Sequence, residues 1–372
     1  MSAANWRNAM NSGAGRAVMM NRGQAAVALP LPGVGGNRGL SLISLISGIG
    51  ARHVVVLAFV LAYPWFATPF FTFQIGAQSL ALGLIALSLT FLGGYGGMVS
   101  LAQITVAGIA GYGVAIFGAA SAADASISLG WPWWVAVLIS IVIATVGAAF
   151  IGWLSVRTEG IYTIMITLAV GVAFYYLCLQ NYSVFNGFQG FQRVHAPTVL
   201  GINLRDPLPF YYLVLFWSLA GYFFVKYLLR APFGIALQGI RDNPRRMNAL
   251  GFNVTAHRIA AYAVAGVMAA VGGVLLVWYN GLIGPGSVGT SWIINILIIA
   301  VLGGMRHPIG AFLGAIVFVL LQTFAIDMFD RERFNLVIGM VFLIIVLFSP
   351  DGLLGWWAGL KSRFLTPRGG VR

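Results

Sequence analysis

Apolar residues in this chain neither alternate nor keep to one helical stripe. They run on for about twenty positions at a time, the length a helix needs to cross a bilayer, and short polar or glycine-rich stretches separate the runs. On that template the pattern predicts about ten spans. They lie at residues 53–72, 75–93, 98–120, 131–154, 160–180, 210–229, 258–279, 290–304, 309–326 and 334–350. The eighth and ninth are short and border glycines and a proline. The expected fold class is therefore all-α, a polytopic membrane protein. Composition agrees: 60% of residues are apolar and 8% charged, where a soluble domain carries about 25% charged residues. The 48 glycines in 372 residues suit membrane helices, whose backbones approach closely through small residues.

Twenty-one lysines and arginines against 8 acidic residues leave a net charge of +13. The cations gather in the first fifty positions, over residues 230–258 and at the C-terminus. These are flanks of apolar runs, where the positive-inside rule puts them. No basic patch interleaved with aromatics occurs, so no nucleic-acid partner is expected. With alternating spans, 17 cations fall on the side of both tails and of the long loop after the sixth span, against four on the other: Arg193, Arg205, Arg331 and Arg333. That asymmetry puts both termini in the cytoplasm. Residues 1–52 are expected to form a basic, disordered cytoplasmic tail, residues 53–355 the membrane domain, and residues 356–372 a second basic cytoplasmic tail. The apolar stretch 25–31 is interrupted by Pro30 and followed by Pro32, which makes it a poor secretory leader. The lone Cys178 can form neither an intrachain disulfide nor a thiolate metal site, and its apolar surroundings predict a small buried hydrophobe.

Ten spans divide as five and five, and an odd number per half inverts one half relative to the other. Each half carries a glycine-rich loop after its second span, at residues 93–97 and 281–289. Inverted repeats with broken helices are a transporter feature.

The long loop at residues 230–257 has the chemistry of a short helix lying outside the membrane. Asp242 or Asn243 suits its cap, Pro244 its first position and Gly251 its end. Between them Arg245, Arg246, Met247, Asn248, Ala249 and Leu250 are helix-compatible. Met247 and Leu250, three apart, share an apolar face, and Arg241 and Arg245, four apart, share another. Such a helix either lies on anionic lipid or plugs into a groove on a cytoplasmic partner.

From Pro232-Phe233-Gly234 through Gly251-Phe252-Asn253-Val254, this loop resembles that of permeases in the branched-chain amino acid ABC importers. Gly94-Tyr95-Gly96-Gly97-Met98-Val99-Ser100-Leu101-Ala102-Gln103 resembles a second motif of the family, and Arg157-Thr158-Glu159-Gly160-Ile161-Tyr162 with Thr167-Leu168-Ala169 a third. Val301-Leu302-Gly303-Gly304 and Ser349-Pro350-Asp351-Gly352-Leu353 resemble two more. The motifs keep the family's order over residues 75–355, and the longer, LivM-like permease fits better than the LivH-like one. The resemblance implies a pore subunit of the bacterial inner membrane, with no enzymatic activity and no cofactor of its own. It also implies a second permease, two cytoplasmic ATPases docking on residues Arg241, Asp242, Asn243, Arg245, Arg246, Met247, Leu250 and Gly251, and an extracytoplasmic binding protein that delivers substrate. No phosphate-loop motif occurs in the sequence, so nucleotide binding falls to another chain. Two departures from the family pattern, residues 185–190 and Val172, leave branched-chain amino acids, urea and short amides as candidate substrates.

The alternative class is an ion-coupled secondary transporter of small neutral solutes. It would place carboxylates or histidines inside spans, whereas the acids and histidines here fall at span ends and in loops. A membrane enzyme lacks its motif as well: there is no H-E-x-x-H, and Pro285 occupies the position of the first glycine in a G-x-S-x-G around Ser287. Ser100, Gln103, Thr105, Asn280, Ser287 and Asn295 are candidate linings of a path for a small zwitterion or amide, if they are not interhelical glue. Gly310 and Gly314 suit packing, and Trp131, Trp133 and Trp134 an interfacial belt. Arg193, Arg205, Arg331 and Arg333 are candidate contacts to the binding protein's carboxylates.

Overall fold

The structure, a computed structural model, describes residues 51–118, 129–158, 160–199, 201–328, 339–340, 342–343, 347 and 352–355. Nearly all of the two expected tails, most of the tenth span, Glu159, Arg331 and Arg333 lie outside the described residues. The chain within them is helical: α1 (Ala51–Phe66), α2 (Phe71–Tyr95), α3 (Gln103–Phe117), α4 (Trp133–Ser155), α5 (Ile161–Gln180), α6 (Pro207–Arg230), α7 (Pro232–Asp242), α8 (Pro244–Ala249), α9 (Val254–Asn280), α10 (Thr290–Gly303) and α11 (Pro308–Met328). Short helical turns at Tyr182–Phe185, Gly187–Gln189 and Pro285–Val288 and four two-residue strands complete it: β1 (Phe191–Gln192), β2 (Thr198–Val199), β3 (Ile202–Asn203) and β4 (Leu282–Ile283). The all-α, multi-pass membrane class stands.

Helices α2, α4, α5, α6 and α9 are each long and apolar enough to cross a bilayer alone. The expected eighth and ninth spans differ from their prediction. Helices α10 and α11 meet at a four-residue break, residues 304–307, and turn by 118°. Helix α3, with 15 residues, is about 22 Å long, short of a hydrocarbon core about 30 Å thick. Hydropathy could not show this, because an apolar run scores alike whether it spans or turns back inside protein.

Helix α2 is the centre. Of its most apolar stretch 89% is buried, against 22% for α5 and 33% for α4 and α6. A helix that is apolar all round belongs inside a bundle, because every face needs an apolar neighbour. The helices pack in matched sets: α2 on α11 and α9 on α4, α3 on α4 and α10 on α11, α3 on α9 and α10 on α2, with α2 and α9 touching each other. The two halves of the chain thus repeat the same helix pairing.

Close backbone approach makes those contacts. A Cβ on Gly273 of α9 would strike the Ala107 carbonyl of α3, and one on Gly272 would meet Ile85 of α2 at 2.6 Å. At the α10–α11 turn, Gly303, Gly310 and Gly314 lie backbone against backbone, and Gly352 presses on Gly303 and Gly304. Gly310 and Gly314 are therefore packing residues, as their spacing suggests. Cys178 is fully buried, as expected. Trp131, Trp133 and Trp134 are exposed around the start of α4, in keeping with an interfacial belt.

Helix α1 is fastened differently. Pro64 removes the N–H that the Val60 carbonyl would accept within the helix, and the Tyr211 hydroxyl of α6 donates to that carbonyl at 2.8 Å. Tyr212 donates to Leu61 in the same way at 3.2 Å. An orphaned carbonyl in a membrane must find such a partner.

Filling the α10–α11 contact tests this packing. Gly314→Val should cost about 1–3 kcal/mol by overpacking, read as a lower thermal midpoint in detergent. Gly286→Ala, with no atom within 4 Å of the new Cβ, should stay within about 0.5 kcal/mol of the parent.

Candidate functional site

The loop after α6 folds into two helices rather than the one anticipated. Helix α7 begins on Pro232 and buries Gly234, Ala236, Leu237 and Ile240, packing on α6, α9 and the last turn of α2. The chain then breaks at Asn243. Its side chain caps α8, accepting from the Arg246 N–H at 3.0 Å, so Asn243 takes the capping role and Asp242 does not. Helix α8 runs only from Pro244 to Ala249. Gly251, at φ +89°, then reverses the chain, and the Phe252 N–H donates to the Met247 carbonyl at 3.1 Å.

Two expectations about this segment change. Met247 and Leu250 do not act as a pair. A Cβ on Gly239 would lie 2.9 Å from the Met247 sulfur, so Met247 is half-buried on α7, while Leu250 is 66% exposed. Arg241 and Arg245 share no face, because the break at Asn243 separates them. Arg245 and Arg246 are exposed. Arg241 turns back onto the bundle instead. Its Nη1 donates to the Gly94 carbonyl of α2 at 2.7 Å, and its Nε and Nη2 donate to Asp242 Oδ1 at 2.9 and 2.8 Å. Gly97, at φ +67°, leaves room for the Arg241 stem: a Cβ there would lie 2.6 Å from Arg241 Cγ. Spacing along one helix cannot reveal a contact across 147 positions.

The six candidate path residues divide. Ser100, Gln103 and Thr105 are buried to within 1%, and line no open cavity among the described residues. Gln103 Oε1 accepts from the Ser88 hydroxyl at 2.9 Å, and Ser100 Oγ accepts from the Ala102 N–H at 3.4 Å. Beside them the Thr167 hydroxyl accepts from the Leu101 N–H at 3.1 Å. Ser287 and Asn295 are half-buried and Asn280 is exposed.

Asn280 opens onto a cavity of about 390 Å³ at the opposite end of the bundle from α7 and α8. Its wall includes Phe73, His195, Arg205, Trp278 and Tyr279. Strand pairing builds this mouth. Strand β1 lies antiparallel to β4, with Phe191 opposite Ile283 and Gln192 opposite Leu282, and the Val194 N–H donates to the Gly281 carbonyl at 3.0 Å. Residues 185–190, which depart from the family pattern, bring β1 in. Asn186 Nδ2 donates to the Gly190 carbonyl at 2.7 Å, and Gly190, at φ +62°, lies directly against Ile283 and Gly284.

Arg193 and Arg205 are exposed here. Partial burial first, and then the charges of Arg205 and Arg193, hold the His195 imidazole below its ordinary pKa. The aromatic wall was missed in the sequence. Phe73 stacks on Tyr279 at 4.8 Å, and the Tyr279 hydroxyl donates to Gln74 Oε1 at 2.7 Å. The signal was Gln74 and Gln78, one turn apart near the start of a largely apolar span. Among the described residues no group of His, Cys, Asp and Glu is placed to hold a metal ion.

Comparison with known proteins bears on this arrangement. The family model described as "Branched-chain amino acid transport system / permease component" matches residues 71–346. The chain is 24% identical over 332 residues to the high-affinity branched-chain amino acid transport system permease protein LivM of Escherichia coli, covering 83% of this chain and 76% of that one. It is 25% identical to the probable LivM permease of Methanocaldococcus jannaschii, over 59% of this chain and 66% of the relative. A nucleoside ABC transporter permease, NupC of Lactococcus lactis, is 33% identical over 27% of this chain and 31% of its own. No solved structure matches. With the match running from the first turn of α2 past the end of α11, the chain belongs to the branched-chain amino acid transport permease family and is LivM-like.

Proposed function

We propose that this chain is one of two permease subunits of an ATP-driven importer in the bacterial inner membrane, moving branched-chain amino acids or related small amino acids and amides. A LivH-like permease completes the pore, two separate cytoplasmic ATPases dock on α7 and α8, and an extracytoplasmic binding protein delivers substrate. Both termini are then cytoplasmic. The chain itself is a pore subunit and not an enzyme.

The observation that carries this reading is the bond from Arg241 to the Gly94 carbonyl. It joins a surface helix pair to the end of the most enclosed helix, so a pull on α8 reaches α2 without crossing a flexible linker. Leu250 and the arginines Arg245 and Arg246 face outward and supply an apolar knob with a cationic rim, suited to a groove on a partner. At the other end, Arg193 and Arg205 flank the mouth and attract carboxylates of the binding protein. Arg331 and Arg333 share that proposed role on sequence position. Asn280, Ser287 and Asn295 are the proposed polar contacts along the path. The relatives include a permease named for nucleosides, so family membership leaves the choice of solute to the binding protein and to the mouth.

Two outcomes test this reading, and a third tests the electrostatics of the mouth. Leu250→Asp should abolish copurification of the ATPases and transport, while leaving the thermal midpoint of the permease unchanged. Retained ATPase association would remove α8 from the docking face. Arg241→Gln should keep the ATPases bound but reduce transport at least about tenfold, the effect of losing one charge-assisted bond of about 1.5–3 kcal/mol. Full transport by that variant would mean the bond transmits nothing. Arg205→Gln should raise the His195 pKa toward its ordinary value of about 6.5, seen by imidazole NMR. In the parent chain the lowered pKa makes protonation unfavourable to the fold, so His195 destabilises it as pH falls through about 6.5. The variant should lose part of that acid sensitivity.

A further inference from the structure

At the end of the bundle that carries α7 and α8, a cavity of about 410 Å³ lies between the last turns of α6 and the first turn of α11, with Tyr95 of α2 in its wall. The remaining lining falls into two parts. Lys226, Arg230 and His307 supply its cationic or basic groups, and among the described residues no carboxylate lines it. Leu229, Pro308, Ile309 and Leu354 form its apolar side. Tyr222, Lys226 and Arg230 are four apart along α6 and so share a face, and Lys226 Nζ stands 5.8 Å from the centroid of the Tyr222 ring. The cavity is large enough for a small ligand, and its two permanent cations, Lys226 and Arg230, come from one wall, the end of α6.

The apolar side continues out of the cavity. Ile309 lines it and is 38% exposed. Leu313 and Ile316, one and two turns further along the same face of α11, are 36% and 38% exposed. They make an apolar stripe running from the cationic cavity along a membrane helix. A soluble anion has no use for such a stripe; an acyl chain does.

We infer that this cavity is a binding site for one anionic phospholipid, its phosphate held by Lys226 and Arg230 and an acyl chain lying along Ile309, Leu313 and Ile316. Basic pockets between membrane helices hold anionic headgroups in this way. The leaflet follows from the proposed function, which makes this the cytoplasmic side; the chemistry of the site does not. A lipid seated here touches the end of α2, the start of α11 and the last turn of α6 at once. It would wedge the elements next to the Arg241 bond, which makes transport sensitive to lipid charge.

The test uses the full-length purified chain in phosphatidylcholine nanodiscs, titrated with phosphatidylglycerol and followed by native mass spectrometry. The parent should retain one phosphatidylglycerol in preference to phosphatidylcholine. Lys226→Gln/Arg230→Gln should weaken that retention roughly tenfold to thirtyfold, from the loss of two cations near the surface. Binding of phosphatidylcholine should not change. Excess inorganic phosphate should fail to displace the lipid; displacement would reduce the site to a free-anion site and overturn the proposal. Equal retention of both lipids by the parent would overturn it without any variant, and so would an unchanged preference in the double variant. An unchanged preference accompanied by loss of ATPase copurification would make the cavity a protein-docking face instead. Leu250→Asp should leave the lipid preference intact, so failure of the ATPase assignment and failure of this one are read separately.

Discussion

In a bilayer, apolar side chains gain little by exchanging acyl chains for each other, so helices associate where their backbones can come close. The placement of glycine and alanine around α2 and α9 meets that constraint, and the rest of the structure depends on it. Gly272 and Gly273 bring α9 onto α2 and α3, and Gly303, Gly310 and Gly314 fold α10 back on α11. With its neighbours this near, the middle of α2 is enclosed on every side, and only its two ends reach a cavity.

The two central helices end alike. Each runs into a glycine-rich turn, and each turn is held by an element from elsewhere in the chain. At the end of α2, Gly94 accepts from Arg241 of α7. At the end of α9, Gly281 accepts from Val194 beside β1, and the β1–β4 pairing reinforces the hold. The carbonyls at a helix end have no partner within the helix, so they are the natural handles for an outside donor. One handle faces the surface helices and the other faces the mouth with His195 and Arg205. The two ends of the bundle thus connect to the same enclosed pair of helices.

Much of this was legible in the linear pattern. Run length marked the helices, Asn243, Pro244 and Gly251 marked a capped segment outside the membrane, and small residues at close spacing marked Gly310 and Gly314 as packing. The break at Asn243 was not legible, because Pro232–Asp242 is amphipathic and its buried face appears only once α6 and α9 are beside it. The roles of Ser100, Gln103 and Thr105 were open for a related reason. A buried hydroxyl or amide near a path and one that ties helices together look the same until the distance from Ser88 to Gln103 is known.

The sequence by itself determined the solvent and the class. So few charges, gathered at the ends of apolar runs, cannot cover a water-exposed surface, and the order of its motifs marks the permease family. Tertiary structure alone decided which apolar helix is enclosed, which apolar runs are sharply bent or too short to cross alone, and what Arg241 holds. Those outcomes depend on distances between residues far apart in the chain. Neither the hydropathy of a segment nor its local spacing carries that information.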